Sequence, residues 1–248
     1  MNIRQILFFI KSKKILIAYI FIILSILGSI FGSFMVKIIA DVILFGFFGL
    51  IAANVARKKY SLPEFTWETW KIGIVYIALF LIYHIPLAVY TFVKGHPEVL
   101  IEKLYFGYST KEYVNPFFIG INLSTFLQPF YFLSFIINFF LPAALVIYGI
   151  KRKFATALNL KVVVKLTASV KYIFYWFLAS FLYKIHYITL NYFYQIYQTK
   201  LFSHVEALIL FLGLLFVLLY LKIFQYILYG IGLQETIAYL EENNSDEK

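Results

Sequence analysis

The ionisable side chains inside the long apolar runs are the residues best placed to do chemistry in this chain, and they are few. Lys37 and Asp41 are four apart within the run 15–56. On a helix they face the same way and can form an ion pair, a structural role for two charges that hydrocarbon would otherwise penalise. His84 lies two residues before Pro86 in the run 72–93. Proline removes one backbone donor and frees the carbonyl of Ile82. The imidazole can then serve as a packing group that donates to a kink carbonyl, or as a proton relay. Lys222, within about two turns of the end of its run, has the reach to snorkel to headgroups.

Residues 170–197 carry the richest pattern. At about 100° per residue, Ser180, Lys184, Tyr187, Asn191, Gln195 and Gln198 share one helical stripe. A second stripe, Ser124, Gln128, Tyr131 and Asn138, lies within 117–150. Face to face, the two would line a water-accessible path, with Lys184, Tyr187, Asn191 and Gln195 opposite Gln128 and Asn138. The alternative is a helix about 42 Å long that projects beyond the bilayer with its stripe solvated. Catalytic signatures are missing: there is no His-Glu-x-x-His, no Gly-x-Ser-x-Gly, no Gly-rich phosphate loop and no cysteine. His96, Glu98, Glu102 and His204 match no standard ligand spacing, so neither a metal nor another cofactor is expected. The expectation is a protein that is not an enzyme.

A bilayer dictates the elements that must hold these residues. The 248 residues are 62% hydrophobic, 21% aromatic and 14% charged, with mean hydropathy +0.85. Soluble domains are near 45–50% apolar and about 25% charged. The surplus here cannot be hidden in one core, so a bilayer must act as solvent for the rest. The expected fold class is all-α, a polytopic transmembrane helix bundle of about six spans with short interfacial amphipathic helices. The spans fall near 15–32, 35–56, 72–93, 128–150, 170–197 and 206–231, in one integral membrane domain over 1–248. As a single helix, 15–56 would be about 63 Å long, twice the hydrocarbon thickness, so it turns back at the Gly28–Ser33 cluster. Gly28 and Gly32 also have helix-pairing spacing. The run Ile15–Val36 exceeds a secretory signal core and reads as a retained anchor. Residues 94–116 form a polar connector, and 241–248 an acidic tail. Residues 154–170 read as one amphipathic surface helix, with Phe154, Leu158, Val162 and Leu166 on one row and Lys161 and Lys165 on another.

The net charge of +10 follows the same plan. Most of the 22 Lys and Arg fall in segments that six spans place on one side, which puts both termini and the tail in the cytoplasm and the chain in the cell membrane. Cations that mark orientation leave no basic face for nucleic acid. The expected partners are membrane lipids and, for a scaffold or accessory subunit, another membrane protein. The competing expectation is a small transporter or channel using the two stripes.

Between the second and third runs lies an elbow, Leu62, Pro63, Glu64, Phe65, Trp67 and Trp70. Ser61 and Glu64 have capping-box spacing, and Pro63 suits the first turn of a helix. Tyr60, Phe65, Trp67 and Trp70 are ring types that settle at headgroup level. The elbow serves as an anchor or as a recognition element for a partner. Gly49-Leu-Ile-Ala-Ala-Asn-Val-Ala-Arg57, then Leu62-Pro63-Glu64-Phe65, a Trp-containing turn and Gly73 resemble a prokaryotic, largely archaeal, domain-of-unknown-function family of multi-pass membrane proteins. Pro142-Ala-Ala, Phe154-Ala-Thr-Ala-Leu and Tyr229-Gly-Ile-Gly extend the resemblance over most of the chain. The sequence departs from the family where a Gly-Tyr often ends the second span, and its 94–116 connector is long. The resemblance implies the membrane helix fold and no settled activity.

Overall fold

The computed structural model describes residues 12–94, 129–198 and 204–243. These form helices α1 (Lys13–Ile30), α2 (Phe34–Ala56), α3 (Trp67–Val93), α4 (Pro129–Lys151), α5 (Phe154–Leu158), α6 (Leu160–Thr167), α7 (Val170–Gln198) and α8 (His204–Asn243), with no strand among the described residues. Among the described residues, four segments are long and apolar enough to cross a membrane: α2, α3, Phe132–Lys151 of α4 and Val205–Ala238 of α8. Helix α6 and Val170–His186 of α7, bent by 85° at their joint, make a fifth if taken together.

Helix α2 is the centre of the bundle. Every residue from Gly46 to Ala53 is buried, and a helix buried all round needs neighbours on every side. Helices α1, α3, α4 and α8 supply them. Glycine sets how closely they approach. A Cβ on Gly46 would run into the Thr69 carbonyl, and one on Gly73 into the Val42 carbonyl. One on Gly49 would strike the Tyr76 ring, and one on Gly230 of α8 would lie 2.5 Å from the Ala52 carbonyl. Tyr76 is fully buried, and its hydroxyl would lie 2.5 Å from a Cβ on Gly149, so it fills the corner where α2, α3 and α4 meet.

The remaining contacts fix direction. Helices α1 and α2 form a hairpin around Gly32, whose φ of +66° suits glycine at the turn. Gly28 lies against the Lys37 backbone of α2 across this hairpin, so it serves the α1–α2 contact, while Gly32 has nothing within 4 Å of its Cβ position and serves the turn alone. Helix α7 runs antiparallel along α8: Lys171 meets Glu235, Tyr172 and Tyr175 meet Gly232, and Tyr183 meets Lys222.

Three boundaries differ from expectation, each for a packing reason. Helix α3 starts at Trp67, not at the Ser61–Glu64 pair, because Leu62 and Pro63 are drawn into the core as non-helical chain. The start is closed instead by Thr66 N–H donating to Thr69 Oγ1 (3.5 Å), while that hydroxyl donates to the Glu64 carbonyl. The amphipathic stretch is two helices, because Asn159 Oδ1 accepts from Lys161 N (3.1 Å) and Val162 N (3.4 Å) and starts α6 anew. Its expected apolar row is thereby divided: Leu166 is buried, Leu158 and Val162 are half-buried, and Phe154 is exposed. Helix α8 continues past 231 to Asn243, because Leu233 and Ile237 are still buried there. The 95–128 segment and residues 244–248 of the tail lie outside the described residues.

Gly73→Ala should lower the midpoint of chemical denaturation in detergent by an amount equivalent to about 1–3 kcal/mol, since backbone cannot yield as a flexible side chain does. Gly213→Ala, with nothing within 4 Å of its Cβ, should be neutral or slightly stabilising.

Candidate functional site

Near the turn of the α1–α2 hairpin, Lys37 Nζ contacts one Asp41 carboxylate oxygen. The other oxygen accepts from Ser25 Oγ of α1 at 2.5 Å. Two charges on α2 neutralise each other while α1 contributes a third partner. Chemically this is a clamp that holds the hairpin closed.

His84 is buried on α3. Its Nδ1 lies 2.7 Å from the Phe80 carbonyl, and its ring centroid lies 4.0 Å from that of Phe80. The acceptor is therefore one turn back, not the Ile82 carbonyl that Pro86 frees, and α3 remains one helix through Pro86. Bonding along its own helix suits the packing role.

The two polar stripes are only partly visible. Lys184 and Asn138 are half-buried. Tyr187, Asn191 and Gln195 lie on α7 with side chains outside the description, and Gln128 lies outside the described residues. Where α4 meets α7 the contact is aromatic. Phe135 and Phe139 pack against Tyr172 and Trp176 with centroids 5.2–5.6 Å apart, edge to face. Tyr172 Oη donates to the Phe139 carbonyl (2.5 Å), and Trp176 Nε1 donates to the Asn138 carbonyl (2.9 Å). Asn138 thus meets α7 through its backbone oxygen.

Sequence reasoning missed a polar–aromatic cluster between α7 and α8. The Lys222 ammonium does not simply snorkel: it lies 5.3 Å from the Tyr183 ring centroid and 5.7 Å from that of Tyr226. Both distances suit cation–π attraction. Gln225 Nε2 donates to Tyr229 Oη at 3.0 Å. Tyr226 and Tyr229 stand one turn from Lys222 and Gln225, which spacing could have disclosed. Tyr183 comes from another helix and could not.

The elbow divides into an inner and an outer part. Phe65 stacks on Phe47 (4.5 Å, 15°) and adjoins Phe21, so it is a core ring and not a headgroup ring. Trp67 and Trp70 stack on each other (4.5 Å, 15°), with Trp67 exposed and Lys71 Nζ 5.8 Å from its ring centroid. The two indoles, with Phe21, Ile43, Phe65 and Thr66, border an open groove of about 260 Å³. Beneath them the helix ends are tied together. Lys14 Nζ donates to the Leu62 carbonyl (3.0 Å) and pairs with Glu64 (3.5 Å). Arg57 donates to the Ile150 carbonyl (3.0 Å) at the end of α4, and Arg152 lies 4.0 Å from Glu68. Gln234 Nε2 donates to the Val55 carbonyl (2.8 Å) and to Tyr60 Oη (3.2 Å). Every described Lys and Arg except Lys37, Lys94, Lys184 and Lys222 belongs to this end of the bundle. Among the described residues no group of His, Asp and Glu could hold a metal ion.

Residues 31–194 match the model of the family described as Protein of unknown function (DUF4013). The chain belongs to this family. No curated protein and no solved structure matches it. The DUF4013 segment begins at the Gly32 turn and takes in α2 to α6 and most of α7. It therefore contains Lys37 and Asp41, the glycine contacts between α2 and α3, the elbow and the aromatic α4–α7 contact, while α1 and α8 lie outside it.

The Lys37–Asp41 pair should show its coupling in a double-mutant cycle. Asp41→Leu alone leaves a cation without its carboxylate and should cost about 1–3 kcal/mol, discounted from a fully buried pair because both side chains keep 23% exposure. Lys37→Met combined with Asp41→Leu should cost less than Asp41→Leu alone, measured by denaturation in detergent.

Proposed function

We propose that this DUF4013 member is a non-enzymatic scaffold or accessory subunit of the cell membrane, with six spans and both termini on the cytoplasmic side. Its partners would be membrane lipids and another membrane protein. The observation that carries this reading is the contrast between the two parts of the bundle. The interior is filled by packed rings and small residues, whereas cations and tied helix ends gather at one pole. Cations at one pole fit the positive-inside rule. The sixfold count is supported by the partners of the two helices that hydropathy leaves out. Helix α1, about 27 Å long, lies in a hairpin with α2, and α7 lies antiparallel along α8. Leu62-Pro63-Glu64-Phe65, which ties α1 to α2 and α3, is a natural candidate for a family element in a largely archaeal group.

A small transporter or channel is the second reading, favoured by half-buried Lys184 on α7 and by Lys222 of α8, which lies 5.3 Å from the ring centroid of Tyr183, the residue before Lys184. The ring wall of Phe135, Phe139, Tyr172 and Trp176 counts against a path through the described α4–α7 contact.

The chain has no cysteine, so single introduced thiols report topology directly. In sealed vesicles, Lys161→Cys should react only with a reagent on the cytoplasmic side and Lys103→Cys only with one on the opposite side. Labelling of both from one side would remove the six-span reading. Purification from native membranes in mild detergent should bring a stoichiometric membrane partner with it, and a chain that elutes alone would count against the accessory role.

A further inference from the structure

We infer that α6 forms a docking face for the phosphate of anionic phospholipids at the cationic pole. This inference rests on the chain being embedded in a membrane, and not on the accessory role.

The local sequence sets the charge. No Asp or Glu occurs between Glu112 and Glu206, while Lys151, Arg152, Lys153, Lys161, Lys165 and Lys171 fall within that stretch; of these, Arg152 lies 4.0 Å from Glu68 and Lys171 pairs with Glu235 at 2.7 Å. The structure sets the orientation. Helix α7 lies along α8, a helix long and apolar enough to span, and α6 is turned 85° from α7. A helix at that angle to a span lies close to the membrane plane. Around α6, at about 100° per residue, three faces follow one another. Val163, Leu166 and Thr167 are buried against the bundle. Leu160 and Val164 come next and are 62% and 48% exposed, too apolar for a face that meets only water. Lys161 and Lys165 follow and are exposed. Exposed aliphatic residues beside two cations, on a helix in the membrane plane, match the boundary between acyl chains and phosphates. The occupant is identified by both halves of that face. Leu160 and Val164 require an acyl chain, and lysines on a segment without a carboxylate favour a headgroup of net negative charge over a zwitterionic one.

The test places a fluorescent reporter on the face itself. Of the three tryptophans, Trp176 is buried, and Trp67 and Trp70 can be removed as W67F and W70F. L160W then reports on lipid at α6. The full chain carrying these changes is reconstituted in phosphatidylcholine vesicles containing brominated phosphatidylglycerol or, in parallel, brominated phosphatidylcholine. Brominated phosphatidylglycerol should quench the L160W reporter preferentially. The preference should fall by about fivefold for each lysine neutralised in K161Q/K165Q and persist in K161R/K165R. High salt should abolish it in the chain that keeps both lysines. Equal quenching by the two lipids would overturn the inference, as would the absence of quenching by either. So would an unchanged preference in a K161Q/K165Q chain that keeps its helical circular dichroism. Should K161Q/K165Q not fold, the salt series decides, because it needs no variant at the lysines. Failure of the chain to enter vesicles at all would overturn the membrane reading as well, and is distinguishable from each of these.

Discussion

Close approach at Gly46 and Gly73, backbone to backbone, and at Gly49, backbone to the Tyr76 ring, brings α3 onto α2, and the other helices are arranged around that contact. In lipid, water supplies no drive for one apolar helix to leave hydrocarbon for another, so close van der Waals packing must hold them together. The Thr69 and Val42 carbonyls occupy the space that side chains at Gly46 and Gly73 would need, and Tyr76 fills the corner left toward α4. Once α3 is seated, α2 is covered on that flank, and α8 closes another through Gly230. The burial of α2 from Gly46 to Ala53 is a consequence of these approaches.

The polar minority is distributed by the same constraint. A charge inside hydrocarbon needs a partner within reach, and each described one has found something close by. Lys37 has Asp41, with Ser25 added from the facing helix. Lys222 has two tyrosine faces. His84 uses a carbonyl of its own helix. At the cationic pole the longer arms of Lys14 and Arg57 reach backbone carbonyls on other elements, so these charges also tie helix ends.

Much of the architecture was legible because it depends on local relations. Apolar runs of bilayer length, a basic cluster after a run and a pair of charges one helical turn apart all show in one dimension. Errors arose where residue type was a poor guide to direction. Phe65 has the composition of an interfacial ring and sits against Phe47, because the elbow folds back along α2. Asn159 was concealed within an apolar period although its cap divides α5 from α6. Helix α8 runs beyond residue 231 because Gly230 and Gly232 each lie where another helix comes close, so the packing continues past them.

The sequence by itself determined that this chain needs a bilayer and consists of helices of roughly known position, with cations punctuating them. Those properties follow from composition and from spacing along one strand of chain, and hydrocarbon enforces them on each segment separately. Tertiary structure decided which segments touch: that α2 is central, that Phe65 turns inward, that Tyr183 completes the Lys222 cluster, and that α6 turns aside to present two lysines beside two aliphatic residues. Partners on different helices are separated by many residues in the chain. Only the geometry of close packing, set largely by where glycine permits two backbones to meet, brings them together.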